Sequence, residues 1–160
     1  MVLNFGGSNL FERQPEERQV RVGNRETADY INNFFWGTSG SDILVDGFDY
    51  FYGISGISVK SEIQTAFNFT MPYDGMITKF TVDIGTNTEN ENVNVRLFKS
   101  SVSPGVGSNL VTFGAGITGK QVNTTATTFL QGDRFSVEIY TDGAGTISNI
   151  FWTIEIEQNI

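Results

Sequence analysis

Ile150-Phe151-Trp152-Thr153-Ile154-Glu155-Ile156-Glu157 decides the fold of this chain. Ile150, Trp152, Ile154 and Ile156 occupy one phase of a period-two repeat, and Phe151, Thr153, Glu155 and Glu157 the other. Side chains of an extended strand alternate between its faces, so the stretch predicts a strand with one face in a core and the other open. On a helix the same apolar residues would be scattered around the axis instead of gathered in a stripe.

The pattern returns upstream. Phe135, Val137 and Ile139 follow the turn Gln131-Gly132-Asp133 and end at Thr141-Asp142-Gly143. Val93, Val95 and Leu97 follow a polar run from Thr86 to Asn92, and Phe80, Val82 and Ile84 precede it, ending at Gly85. Phe67, Phe69 and Met71 lead into the turn Pro72-Tyr73-Asp74-Gly75. Leu110 to Phe113 and Val122 to Thr128 read as weaker strands, and Ser100 to Gly107 as a loop. Strands recurring between Gly and Asp turns predict an all-β fold, an antiparallel jelly-roll-like β-sandwich over residues 60–160.

Composition agrees. The 160 residues are the size of one domain, 14 Phe, 5 Tyr and 2 Trp supply bulky core material, and 18 Gly against 3 Pro suit a fold with many tight turns. There is no Cys and no His. A disulfide framework, a thiolate nucleophile, a Ser-His-Asp triad and the usual zinc sites are thereby excluded. The net charge of −8 repels phosphate backbones, so nucleic acid is not an expected partner. No stretch approaches the roughly 20 apolar residues that span a bilayer. The start Met1-Val2-Leu3-Asn4-Phe5-Gly6-Gly7 lacks the basic region of a secretory signal. The expectation is a chain made without export and with no membrane partner.

The first third differs. Residues 1–26 hold 4 of the 10 basic residues (Arg13, Arg18, Arg21 and Arg25) and 4 of the 18 acidic ones, leaving 6 positive and 14 negative charges, the whole −8, for residues 27–160. Residues 1–59 show no sustained alternation and read as an irregular N-terminal arm and linker. Asn24 is placed to cap a short helix ending near Phe35, with Tyr30, Ile31, Phe34 and Phe35 on one side. The run Gly37-Thr38-Ser39-Gly40-Ser41-Asp42 reads as a linker before the aromatic stretch Phe48-Asp49-Tyr50-Phe51-Tyr52. Phe34, Phe35, Trp36, Tyr50, Phe51 and Tyr52 lie outside any strong strand pattern. Such clusters either pack as a satellite core beneath the sandwich or are buried at a subunit or partner contact, and the contact is the expectation because aromatic residues dominate interface anchors.

Catalytic candidates are few. Glu155 and Glu157 share a strand face about 7 Å apart, a spacing compatible with a glycosidase pair, but two solvated carboxylates on an outward face are the ordinary reading in so acidic a chain. Asp42, Asp46 and Asp49 around Gly47 do not match the alternating ligands of an EF-hand loop. Gly105-Val106-Gly107 precedes no helix and is not a dinucleotide loop. Asn68-Phe69-Thr70 and Asn123-Thr124-Thr125 match the glycosylation pattern, which is inert without export. The expectation is a binding or assembly module, not an enzyme, with no cofactor and no metal.

Three segments together resemble capsid decoration (cement) proteins of tailed bacteriophages. They are Phe69-Thr70-Met71-Pro72-Tyr73-Asp74-Gly75-Met76-Ile77, Val93-Asn94-Val95-Arg96-Leu97-Phe98-Lys99, and Phe129-Leu130-Gln131-Gly132-Asp133-Arg134-Phe135-Ser136-Val137. The Gly-Asp turn before a strand also looks like the trimeric complement-type and tumour-necrosis-factor-like heads. The resemblance covers roughly residues 65–157. It implies a homotrimer that binds the major capsid protein on the outer capsid surface of the virion, after synthesis in the host cytoplasm. The arm, with Phe11, Arg13, Arg18, Arg21 and Arg25, would grip the capsid. A receptor- or carbohydrate-binding module of a tail fibre or spike is the alternative.

Overall fold

The computed structural model describes residues 30–40, 42–45, 49–54, 56–57, 60–63, 68–99 and 106–159. Residues Tyr30–Asn159 form one compact unit. Phe11, Arg13, Arg18, Arg21 and Arg25 of the expected arm lie outside the described residues, as do Phe48 and Phe67.

Twelve strands are described: β1 (Tyr30–Thr38), β2 (Leu44–Val45), β3 (Asp49–Tyr52), β4 (Gly56–Ile57), β5 (Phe69–Thr70), β6 (Gly75–Asn87), β7 (Val93–Lys99), β8 (Val106–Phe113), β9 (Gly119–Asn123), β10 (Thr127–Phe129), β11 (Arg134–Thr141) and β12 (Thr146–Asn159). The first sheet runs β10-β6-β12-β1-β4, with β2 also on β12 and β9 also on β6. The second runs β3-β11-β7-β8, with β5 also on β11. The antiparallel pairs nest: β1 with β12, β3 with β11, β6 with β9 and β10, and β7 with β8. Outermost with outermost and innermost with innermost, on alternating sheets, is the jelly-roll winding. The expected all-β jelly-roll-like sandwich is the observed fold.

Two expectations for the first third are corrected. No helix ends at Phe35. Residues 30–38 are strand β1, paired along its length with β12 from Tyr30↔Asn159 to Thr38↔Phe151. The sandwich also begins earlier than residue 60, because β1 to β4 contribute to both sheets. The reason is visible at Gly37, whose run predicts a linker. It stands opposite Trp152, and a Cβ there would come within about 2.5 Å of the indole. Glycine lets the strand lie flat on that ring, so it serves close packing inside a strand instead of a turn.

Between the sheets lies one core. Trp152, Tyr52, Phe80, Phe113, Phe129 and Phe135 are its largest fully buried side chains. The Trp152 Nε1–H donates to the Ile54 carbonyl at 3.2 Å, so the indole enters the core with its polar atom satisfied. The Gly-Asp turn before β11 is locked to the Pro-Tyr-Asp-Gly turn. The Gln131 N–H donates to the Asp74 carboxylate at 2.7 Å, the Leu130 N–H to the Asp133 carboxylate at 2.8 Å, and the Met71 N–H to the Asp133 carbonyl at 2.8 Å. Lys99 closes on Asp133 at 2.5 Å.

Candidate functional site

Because residues directly opposite one another in a ladder share a face, register assigns the outer side of the first sheet. Phe34 stands opposite Glu155, Trp36 opposite Thr153 and Thr38 opposite Phe151. On the far side of β12, Phe151 faces Asp83, Thr153 faces Thr81 and Glu155 faces Lys79. Lys120 and Val122 of β9 continue the rows beside Asp83 and Thr81. The inward partners on the same strands, Val82, Ile84, Ile150, Trp152 and Ile154, are core.

This outer face carries large apolar side chains where solvent-facing polar ones are expected. Phe34 is 58% exposed, Trp36 48%, Val122 45% and Phe151 43%. Trp36 and Phe151 stack with ring centroids 6.2 Å apart and planes 20° from parallel. Phe34 lies two residues along the same strand face, which makes three exposed aromatic rings contiguous. Single exposed apolar residues are unremarkable, whereas a contiguous aromatic patch marks an interaction site.

Beside the patch the ladder is irregular. Register between β6 and β12 shifts at Glu155/Ile156, leaving Thr78 as the extra residue, and the Thr78 hydroxyl donates to the Glu155 carbonyl at 3.2 Å. Bulges bend the strand that carries them and re-aim side chains. A shallow depression of about 320 Å³ opens there, lined by Asn32, Asn33, Phe34, Thr78, Glu155, Ile156 and Glu157. Glu155 is paired with Lys79 at 2.8 Å, both about two-fifths exposed. Among the described residues no group of three Asp, Glu, His or Cys is arranged to hold a metal ion.

Other candidates separate from this face. Phe35 turns inward, partly buried, and meets Phe69 edge-on at 5.1 Å. Tyr50 and Tyr52 are core residues. Phe51 is also buried, packed edge-on against Phe98 at 5.5 Å. The expected subunit or partner contact at Tyr50, Phe51 and Tyr52 is therefore corrected: β3 lies in the second sheet, and these side chains are consumed by the fold of one chain. Burial, reinforced by Asp42 nearby, pushes the Tyr52 phenol well above its ordinary value, so it remains neutral. Phe34 and Trp36 retain the exposure that a contact requires. Phe151 and Val122 were missed from sequence, although Phe151 carried a signal, as the one apolar residue in the Thr153-Glu155-Glu157 phase.

The outer side of the second sheet is the opposite case. Ser136, Glu138, Phe98 and Phe51 occupy the phase turned away from the core, yet all four are buried. Glu138 is paired with Arg96, whose guanidinium lies over the Tyr140 ring at 4.9 Å. Burial raises the Glu138 carboxyl above the ordinary carboxylate range, against the opposing pull of Arg96.

No protein-family model matches the sequence. No curated protein is similar to it. A solved structure with a similar chain path is the globular domain of zebrafish complement 1qA protein, at 10% sequence identity and a TM-score of 0.41, covering 78% of this chain and 94% of that one. The nested strand pairing of this chain defines its class, an antiparallel jelly-roll sandwich.

Proposed function

We propose that this chain is a non-enzymatic virion protein that decorates the outer surface of a tailed-phage capsid, binding the major capsid protein as a homotrimer and stabilising the shell. The observation that carries the reading is the open aromatic face of the first sheet, in contrast to the buried aromatic core of Trp152, Tyr52, Phe80, Phe113, Phe129 and Phe135. A protein that adds contacts only to the assembled shell stabilises that state by mass action, and several linked contacts multiply the effect. The three-segment resemblance to decoration proteins supplies the partner.

The test is decoration itself. Purified protein is mixed with capsids lacking their auxiliary protein, and occupancy and shell melting are measured with the full chain and with residues 1–29 deleted. The reading expects full occupancy and a raised shell melting temperature for the full chain, and lost occupancy for the deletion. Truncation must stop at residue 29, because removing β1 would expose Trp152. Full occupancy by the truncated chain would remove the arm from the account, and no binding by the full chain would remove the decoration reading.

A second reading, a carbohydrate- or receptor-binding module of a tail fibre or spike, is favoured by the depression in which Phe34 stands beside Asn32, Glu155 and Glu157. An exposed ring beside planar polar groups suits a sugar ring. Tyr50 and Tyr52 are buried and so are not available to such a site. Glycan binding that disappears in Phe34→Ala would favour it.

A further inference from the structure

We infer that the outer face formed by β1, β12, β6 and β9 is the surface through which copies of this chain join one another. This rests on the assembly reading above and names the partner of that face.

The first support is the aromatic patch of Phe34, Trp36 and Phe151, open in the single chain. Buried aromatic anchors dominate the energetics of protein contacts, and flanking neutral contacts keep water out. Across the same face Thr153, Thr81 and Val122 continue one row without charge.

The second support is electrostatic and independent of the first. The chain carries −8, so two copies repel at most approaches. On this face the charges are matched within the sheet: Glu155 stands opposite Lys79, and Asp83 opposite Lys120. Glu157 is the one further carboxylate among its described strand residues from 151 to 157. The face is thus close to neutral and presents both signs, which like copies tolerate. A basic partner would find little net charge here to attract it. An ionic signature follows. Added salt screens the repulsion between acidic copies, so self-association holds or strengthens as salt rises.

Sedimentation equilibrium of the full chain, across concentration and at low and high salt, tests the inference. Wild type is expected at three times the 17.7 kDa chain mass, with affinity level or rising as salt is added. Trp36→Asp and Phe151→Asp should each weaken association at least 100-fold while circular dichroism and melting stay near wild type, because both side chains are substantially exposed. Ile63→Asp, at an exposed site beside the second sheet, should leave the mass unchanged. A monomeric wild type at ~100 μM, or an oligomer that survives both aspartate variants, overturns the inference. So does a monomer that loses capsid or glycan binding in Trp36→Asp, since the face then serves another occupant. An oligomer broken by the variants that fails to bind capsids leaves the inference standing and ends the decoration reading. A monomer that still decorates does the reverse.

Discussion

The two sheets have outer faces of opposite character. On the first, Phe34, Trp36 and Phe151 are open, and the Lys79–Glu155 pair stands in solvent. On the second, Phe51, Phe98, Ser136 and Glu138 are covered, and Arg96 closes on a carboxylate that has left water. Both faces place aromatic residues in the outward phase of an alternating strand, so the sequence signal is the same. The covered face belongs to the fold of the single chain, while the aromatic rings of the open face remain about half exposed in it. A mutation on one should unfold, and on the other should dissociate.

The largest expected effect is on the covered side. Phe98→Ala should cost about 3 kcal/mol by denaturant unfolding, within the range for deleting a buried ring, while Phe34→Ala should stay within about 0.5 kcal/mol in the monomer. Equal losses at the two positions would erase the distinction between the faces.

Next is Arg96→Met, which strands the buried Glu138 carboxyl. Breaking a buried pair costs about 3–5 kcal/mol, and because the Arg96 side chain is roughly one-third exposed, about 2–3 kcal/mol is expected near neutral pH. The loss should depend on pH. A carboxyl raised in the folded chain holds its proton more tightly there, so stability from this site is full below the unfolded carboxylate value and falls as pH rises through the raised one. Removing Arg96 steepens that fall, and unfolding at pH 4 and pH 7 should show a smaller penalty for the variant at pH 4. A penalty independent of pH would mean that Glu138 is not the group left stranded.

Gly37→Ala ranks third. It forces the added Cβ against the Trp152 indole, and overpacking of this kind costs about 1–3 kcal/mol, read as a lowered melting temperature. A neutral outcome would mean that β1 is not held flat on that ring. The smallest effect belongs to the open face. Lys79→Met should change monomer stability by less than about 1 kcal/mol, since solvent-exposed ion pairs contribute little.

Much of the fold was legible because its main strands write their period openly. Phe80-Val82-Ile84, Val93-Val95-Leu97, Phe135-Val137-Ile139 and Ile150 to Ile156 lie in β6, β7, β11 and β12, with the expected phase buried. β1 was hidden because apolar residues occupy both of its phases, with Phe35 inward and Phe34 and Trp36 outward. That loss of contrast made Phe34 and Phe35 read as a helix face, yet it is also the mark of the candidate site. β3 was obscured in the same way, since Phe51 joins Tyr50 and Tyr52 in burial. No local pattern told these cases apart. Whether an outward aromatic is covered depends on packing that adjacent residues do not encode.

The most direct measurement uses the two tryptophans of the chain, one on each side of β1 and β12. Acrylamide quenching of wild type is compared with Trp36→Phe, so that the difference isolates Trp36, in dilute protein and in the assembled state. The account predicts a Trp36 signal that is readily quenched when dilute and strongly protected on assembly, while buried Trp152 is protected throughout. A Trp36 signal quenched equally in both states would contradict the claim that this face is where the molecule meets its partner.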